Sequence, residues 1–148
     1  PSGQYATIKE NGAYFDTSLS FAIIRGGHLD ITVLGTLEVD QEGSMASWII
    51  PNKLVPGMGG SMDLVVGAKK VIIATTHTNK GKPKIKKKCL LPLTAYKVVD
   101  LIVTELAVIK VEEDGLHLIE RHPDVSIKEI IEKTEATLIY DDVKIMEV

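Results

Sequence analysis

"DITVLGTLEV" at residues 30–39 and "VIIAT" at residues 71–75 are β-branched and apolar through most of their length. Such runs are too hydrophobic for a sheet with one wet face and are typical of strands covered on both sides. Between them the chain carries a turn at 40–44, a strand candidate at 46–50 and a short helix at 61–70. This alternation predicts an α/β layered domain.

The flanking segments continue the alternation. Residues 17–28, "TSLSFAIIRGGH", predict a helix that begins at Thr17 and ends at Gly26 or Gly27. Its inward side chains are predicted to be Leu19, Phe21, Ile23 and Ile24. The remaining predictions are a strand at 6–8, helix or strand within 94–105, a hairpin at 106–121 with the turn Asp114-Gly115, a helix at 126–134 capped by Ser126, and a closing strand at 136–140.

Composition limits the class of protein. The chain has 148 residues, enough for one domain with a hydrophobic core, and its net charge of −3 gives no general attraction to nucleic acid or anionic membranes. A single cysteine, Cys89, cannot form an internal disulfide, so a reducing compartment is expected. No apolar run is long enough to span a bilayer and no signal peptide opens the chain, although it begins with Pro1. These features predict a cytoplasmic location.

The segment "KLVPGMGGSMDLV" at 53–65 places Gly57, Gly59 and Gly60 directly before the predicted helix. Their amides could converge on an anion near the helix N-terminus. The segment is not a nucleotide motif, because the dinucleotide pattern needs glycine at Met62 and a P-loop needs lysine at Ser61. The alternative is a tight turn whose glycines adopt positive φ angles, and judged by these residues alone the turn is favoured.

Residues 79–88, "NKGKPKIKKK", contain six lysines that could contact phosphates of a nucleotide or of RNA. No aromatic side chain is interleaved to stack on bases, so a solvated loop without nucleic-acid binding is predicted.

The histidines show no metal-ligand spacing with one another or with Cys89, so no metal site is predicted. His28 is interpreted as a core histidine at a helix C-terminus rather than a general base. Cys89 lies in the apolar run "CLLPL" and is interpreted as a buried structural thiol, and Trp48 as a core residue. The set of histidines is His28, His77, His117 and His122.

Four long blocks carry a resemblance to a known family. They are "GAYFDTSLSFAIIRGGHLDITVLGTLEVD", "GSMASWIIPNKLVPGMGGSMDLVVGAKKVIIATTHT", "KCLLPLTAYKVVDLIVTELAVI" and "TEATLIY". Together they resemble the carboxyl-terminal part of the β subunit of 3-oxoacid CoA-transferases, the family of the succinyl-CoA:3-ketoacid, acetoacetate and butyrate enzymes. The match runs in unbroken order from about Ala13 to the end of the chain. Residues 1–148 are therefore expected to form a single domain of such a subunit.

The resemblance implies a CoA-transferase-like fold, with a mixed sheet covered by helices on both faces. It also implies a ping-pong reaction that moves CoA from an acyl-CoA, such as succinyl-CoA or acetyl-CoA, to a 3-oxoacid such as acetoacetate through a glutamyl-CoA thioester. The CoA thioester is a substrate, and no further cofactor is implied. By residue matching, the N–H of Gly60 would stabilise the oxyanion, and Met58 and Gly59 would shape the approach to it.

The nucleophilic glutamate of the family lies in a Ser-Glu-Asn-Gly motif upstream of "GAYFD", and this chain is expected to lack it. "KENG" at 9–12 is no substitute, because Lys9 stands where the serine would be, and Glu10 is predicted to lie in an exposed turn. The implied partners are an α subunit and the N-terminal part of the β subunit, in a homo- or hetero-oligomer. In a eukaryote the implied location is the mitochondrial matrix. The alternative function is a non-catalytic ligand-binding or assembly module on the same fold.

Overall fold

The computed structural model describes residues 5–53, 55 and 57–147. These residues contain three helices and twelve strands. In chain order they are α1 (Thr17–Arg25), β1 (Leu29–Leu34), β2 (Glu38–Asp40), β3 (Met45–Ala46), α2 (Ser61–Gly67), β4 (Ala68–Ala74), β5 (Thr78–Asn79), β6 (Lys82–Pro83), β7 (Ile85–Lys86), β8 (Leu101–Val103), β9 (Ala107–Glu112), β10 (Gly115–Arg121), α3 (Ile127–Glu132), β11 (Leu138–Ile139) and β12 (Lys144–Ile145).

The main sheet has seven strands in the order β1, β4, β8, β9, β10 and β11, with β12 also paired to β10. Strands β1, β4 and β8 are parallel, β9 is antiparallel to both its neighbours, and β11 and β12 are parallel to β10. A smaller sheet joins β3, β2 and β7, and β5 pairs with β6. The predicted α/β fold with a mixed sheet is confirmed.

The core lies against one face of the main sheet. Ile73 pairs with Ile102 and Ile102 with Ile109, and all three side chains are fully buried. From the other side, Val39, Met45, Ile85 and Ile130 complete the cluster, so the small sheet and α3 pack on this face. The alternate residues point the other way, and there Leu101, Val103 and Val108 are only half-buried.

The chain connections explain why only one face is covered. The crossovers β1 to β4, β4 to β8 and β10 to β11 each join parallel neighbours and step in the same direction across the sheet. Such crossovers are right-handed, so connections that step in one direction lie on one face. The opposite face, which we call the open face, includes Ile31 and Val33 at 52% and 60% exposure. These side chains lack the double-sided cover that their hydrophobicity predicted.

Several predicted elements are confirmed. Helix α1 begins at Thr17 and is followed by Gly26, and α3 is capped by the Ser126 hydroxyl. Strand β4 contains all of the predicted run at 71–75 except Thr75. The hairpin at 106–121 forms as β9 and β10. The ambiguous segment 94–105 contains strand β8 and no helix.

Other element predictions are wrong. Residues 6–8 form no strand, only Ala46 of 46–50 belongs to a named strand, and 30–39 splits into β1 and β2. The split occurs because the chain leaves the main sheet after β1 and enters the smaller sheet at β2. Of the four side chains of α1 predicted to face inward, Leu19 and Ile23 are exposed, whereas Phe21 and Ile24 are half-buried. The helix has no fully buried residue, since it packs beside α2 rather than on the core. No helix in the described part of the chain is long and apolar enough to cross a membrane.

Candidate functional site

The glycine segment forms a loop that leads directly into α2. Gly57 and Gly59 have φ angles of 90° and 52°, and a Cβ at either position would meet no atom within 4 Å. Their glycine identity therefore answers a backbone requirement rather than a packing one. We call residues 57–60 the glycine loop. Leu54 and Pro56 of the predicted segment lie outside the described residues.

Gly60 differs from the other two glycines. Its φ of −86° is open to any residue, but a Cβ here would lie 3.1 Å from Cζ of Phe21 on α1. Its carbonyl accepts the N–H of Leu64 at 3.0 Å. Among the described residues, no acceptor receives the Gly60 N–H. Gly60 and Met58 are half-buried, and Gly59 between them is exposed.

The loop is joined to the rest of the molecule through Trp48. The N–H of Gly57 donates to the Trp48 carbonyl at 3.1 Å, and the indole N–H of Trp48 donates to the carbonyl of Leu93 at 3.2 Å. Trp48 is half-buried, so its prediction as a core residue is wrong. The polar edge of the indole is used for a hydrogen bond, which amphipathic aromatic residues commonly form near a surface.

Helices α1 and α2 form the wall behind the glycine loop. Arg25 Nε donates to Asp63 Oδ1 at 2.7 Å, and this hydrogen bond raises the pKa of the guanidinium. The guanidinium carbon of Arg25 also lies 5.5 Å from the centroid of the Phe21 ring. At the crossing a Cβ on Gly67 would lie 2.2 Å from the Ile24 carbonyl oxygen. A cavity of about 270 Å³ opens beside this contact, lined by Arg25, Met62, Asp63, Val66 and Gly67.

A polar network, not predicted from the sequence, lies at the carboxyl ends of the parallel strands. The Lys84 ammonium donates to the Thr75 hydroxyl, which donates to the Thr36 carbonyl at 3.3 Å. Burial lowers the pKa of Lys84, while the nearby Glu105 carboxylate acts in the opposite direction. The hydrogen bonds thus join Thr36, which follows β1, to Thr75, which follows β4. Glu105, which follows β8, contributes its charge to the same group of residues. The sequence signal was only that polar residues follow buried strands.

His77 is the core histidine of the protein. Its side chain is fully buried, with Nδ1 3.0 Å from the Thr104 hydroxyl and Nε2 2.9 Å from the Thr134 hydroxyl. Its backbone N–H donates to the Glu105 carboxylate at 2.9 Å. The prediction for His28 as a core histidine is wrong, because that residue is exposed between the turn after α1 and the start of β1.

The remaining candidates lie apart from the glycine loop. Burial raises the pKa of Cys89 to about 12, with Asp40 and Glu38 adding to the effect, so its half-buried thiol is protonated at neutral pH. This agrees with a structural role. His117 and two carboxylates of the β9–β10 turn, Glu112 and Asp114, bring their ligand atoms within 4.8 Å of one another. Histidine spacing alone could not show this cluster.

The lysine-rich segment is not simply a solvated loop. It contains β5, β6 and β7, with Ile85 fully buried and Lys86 bound to Glu135 at 2.9 Å. The segment is ordered because β7 pairs with β2 of the smaller sheet. In that pairing Ile85 faces the core, while the next residue, Lys86, faces away from it. Glu10 lies in an exposed turn closed by the Gly12 N–H, as predicted.

Known proteins resemble this chain over most of its length. The family described as Coenzyme A transferase matches residues 2–133. The chain is 56% identical over 148 residues to the β subunit of the acetate CoA-transferase of Haemophilus influenzae, covering 99% of the chain and 66% of that relative. It is 49% identical over 131 residues to a subunit of the succinyl-CoA:3-ketoacid coenzyme A transferase of Helicobacter pylori, covering 88% of the chain and 63% of that relative.

A solved structure of an acyl-CoA transferase has a fold similar to that of this chain. The crystal structure of an acyl-CoA transferase apoenzyme from Escherichia coli O157:H7 superimposes with a TM-score of 0.80 at 29% identity, over 91% of this chain and 31% of that one. The chain spans just under two thirds of the length of the curated relatives it matches. From its sequence and its fold, the chain belongs to the coenzyme A transferase family.

Proposed function

We propose that this chain supplies the oxyanion-binding loop of an enzyme that transfers CoA between an acyl-CoA and a carboxylate. The single observation that carries the proposal is the amide of the half-buried Gly60, which has no acceptor among the described residues. Relatives named for acetate and for succinyl-CoA with 3-ketoacids support transfer between carboxylic acids. Our specific expectation is a 3-oxoacid such as acetoacetate as acceptor, with succinyl-CoA or acetyl-CoA as donor.

The reaction has four bond exchanges in our proposal. A glutamate outside this chain attacks the thioester carbonyl and expels CoA thiolate, which leaves an acyl-glutamyl anhydride. The thiolate then attacks the glutamyl carbonyl and releases the first carboxylate, giving a glutamyl-CoA thioester. The acceptor carboxylate next attacks the glutamyl-CoA thioester and expels CoA thiolate, which gives a second anhydride. The thiolate then attacks the acceptor's carbonyl in this anhydride, which releases the new acyl-CoA and regenerates the glutamate. Apart from the CoA thioester, which is a substrate, the reaction needs no cofactor.

Each attack produces a tetrahedral oxyanion, which preset hydrogen-bond donors stabilise. The Gly60 N–H is the donor that this chain contributes, and Phe21 packed behind it holds that residue in place. Because Met58 and Gly59 directly precede the amide, they would shape the path of the thioester.

The partners in this proposal are an α subunit and the part of the β subunit that carries the glutamate, assembled as an oligomer. Two relatives are themselves named as one subunit of their enzyme, which implies a second subunit in those enzymes. The open face with Ile31 and Val33 offers apolar area for such contacts. We propose the cytoplasm, or the mitochondrial matrix in a eukaryote, as the location.

The decisive test removes only the proposed donor. In the complete enzyme, replacement of the amide before Gly60 by an ester deletes the N–H, and Gly60→Pro does the same genetically. We expect kcat to fall about 100-fold or more, because one oxyanion donor contributes a factor of that size. Gly60→Ala keeps the N–H and measures the steric effect of the new contact with Phe21. Near-normal turnover of a folded ester variant would leave the chain with a scaffold or binding role instead.

Peptide mapping after incubation with acetoacetyl-CoA locates the covalent intermediate. We expect a CoA adduct on a glutamate outside residues 1–148, and we expect Glu10→Gln to leave turnover unchanged, since Glu10 lies in an exposed turn. An adduct on Glu10, or loss of transfer in a folded Glu10→Gln enzyme, would contradict this assignment.

A further inference from the structure

The glycine loop has one hydrogen bond to the preceding chain in the described residues, and it ends at Trp48. The Gly57 N–H donates to the Trp48 carbonyl at 3.1 Å, while the bond from Ser61 to Met58 lies within the loop and its helix start. Because Gly57 and Gly59 have no Cβ and no atom would lie within 4 Å of one, their side chains do not restrict the backbone of the loop. The direction of its amides therefore depends on what holds its two ends.

Trp48 is itself held by the segment 93–95. Its indole N–H donates to the Leu93 carbonyl, and the N–H of the preceding Ser47 donates to the Thr94 hydroxyl at 2.9 Å. Two residues earlier, the Met45 N–H donates to the Ala95 carbonyl at 3.0 Å, so the two stretches run side by side. At Trp48 this alignment ends, and among the described residues before the glycine loop the indole bond is the last hydrogen bond between the two stretches.

The far end of the loop is held by different atoms. Gly60 packs on the ring of Phe21, and its carbonyl begins the hydrogen bonds of α2. The Gly60 amide thus lies between a fixed helix start and the stem at Trp48. A shift of the stem would therefore be expected to rotate the peptide planes between these two ends.

We propose that Trp48 is a positioning residue for the oxyanion donor: through its indole bond to Leu93 and its carbonyl bond to Gly57, it aims the Gly60 N–H. The inference rests on the proposed function of the glycine loop. Tryptophan suits the position because its ring fills the half-buried site and its N–H supplies the donor. Phenylalanine would fill most of the same space without the donor.

The test uses Trp48→Phe in the complete enzyme, with Tyr96→Phe as the matched control. Tyr96 is an exposed aromatic residue three positions after Leu93, and its ring contacts Lys97 rather than the glycine loop. Amide hydrogen exchange of peptides covering 57–62 reports the order of the loop without reference to activity. We expect severalfold faster exchange there in Trp48→Phe and no change in Tyr96→Phe.

Kinetics complete the test. We expect kcat to fall about tenfold in Trp48→Phe with KM for the acyl-CoA within about twofold, because a misdirected donor weakens transition-state stabilisation more than substrate binding. Unchanged exchange at 57–62 would overturn the positioning role whatever the activity. Faster exchange with unchanged kcat would support the anchoring but refute the catalytic role of the glycine loop.

A second variant covers the case in which Trp48→Phe fails to fold. Trp48 is the only tryptophan of the chain, so biosynthetic incorporation of a benzothienyl analogue of tryptophan changes this one residue of it. The analogue keeps the ring size and replaces the N–H by sulfur. The same faster exchange and the same fall in kcat are expected, and an enzyme that behaves as the unmodified one contradicts the proposal.

Discussion

Gly67 and Gly59 show that two glycines can be required for opposite reasons. At Gly67 the backbone angle is ordinary, but a Cβ would lie 2.2 Å from the Ile24 carbonyl oxygen, so the close approach of α1 and α2 demands glycine. At Gly59 the space is empty, but a φ of 52° demands it. The sequence pattern singles out the glycine loop and not Gly67, because an isolated glycine at a helix end suggests only a cap.

The hydrogen bonds around His77 determine its protonation state. The Thr104 hydroxyl already accepts the N–H groups of Leu106 at 3.2 Å and Ala107 at 3.1 Å. With both lone pairs occupied, its one proton has two possible acceptors, the Ala107 carbonyl at 3.2 Å and His77 Nδ1 at 3.0 Å. The Thr134 hydroxyl donates to the Ile130 carbonyl at 2.7 Å, so it accepts the Nε2–H of His77. This arrangement fits a neutral imidazole. Burial lowers the pKa of His77 and Lys133 adds to the effect, although Glu105 opposes it.

We therefore predict that the free energy of unfolding falls as the pH is lowered below about 6.5, the ordinary pKa of histidine. The unfolded chain takes up a proton there, whereas the folded chain resists protonation until a lower pH, so the loss grows by up to about 1.4 kcal/mol per pH unit. Denaturant unfolding between about pH 7.5 and about pH 5 measures the slope.

The control for this prediction is His77→Asn, which keeps hydrogen-bonding capacity and cannot titrate. We expect it to be less stable at neutral pH but to show a flatter pH dependence. The carboxyl groups of Asp30 and Glu135, whose pKa values are lowered by hydrogen bonds to Lys69 and Lys86, lose their stabilising effect only at more acidic pH. An unchanged slope in His77→Asn would show that another group is responsible.

Helices α1 and α3 begin in the same way but are stabilised differently. Both begin with a side-chain cap: the Asp16 carboxylate accepts the Leu19 N–H at 2.8 Å, and the Ser126 hydroxyl accepts the Glu129 N–H at 3.2 Å. Only α3 buries a side chain in the core, Ile130. The stability of α3 is therefore coupled to that of the whole domain, and that of α1 is not.

From this difference we predict different outcomes for the two cap deletions. Ser126→Ala should lower the global free energy of unfolding by about 1 kcal/mol, the usual contribution of a cap. Asp16→Ala should leave the global value nearly unchanged and instead speed amide exchange within Thr17–Arg25, because α1 can open locally. Equal global losses in both variants would show that α1 is part of the cooperative core.

At the scale of the whole molecule, the open face distinguishes this chain from an ordinary α/β domain. Ile31 and Val33 on β1 are exposed by more than half. Leu101, Val103 and Val108, which lie on β8 and β9 further along the same face, are half-buried. Strand β1 is also an edge of the main sheet, with one neighbour, β4. An apolar face next to an unpaired edge is a surface that favours association.

We predict that the 148-residue chain alone binds the dye ANS and forms concentration-dependent oligomers. The double change Ile31→Thr with Val33→Thr should reduce both, since it removes apolar surface and keeps β-branched residues in the strand. Leu90→Thr is the control, because Leu90 is 78% exposed but lies outside the strands, with its N–H bound to Glu38 of the smaller sheet. A similar effect from the control would mean that association is not specific to this face. Dye fluorescence and analytical ultracentrifugation make the two measurements.

The amino-acid sequence by itself determined the elements whose signal is local. The hairpin of β9 and β10, the Ser126 cap of α3 and the buried run of β4 depend on neighbours in the chain, and all three formed as predicted. The long blocks that resemble the CoA-transferases also carried the fold class, because a fold is encoded in many positions at once. Gly60, Met58 and Gly59 could be named in the same way, while their roles remain predictions.

Only the tertiary structure decided where those elements face and what lies beside them. The exposure of Leu19 on α1 and of Ile31 on β1 depends on which face the crossovers cover, and local hydrophobicity does not encode this. The pairs Trp48 with Leu93 and His77 with Thr134 join residues 45 and 57 positions apart. Contacts over such distances form only when the packed core brings the strands together, so the anchoring of the glycine loop became visible in the fold and not in the sequence.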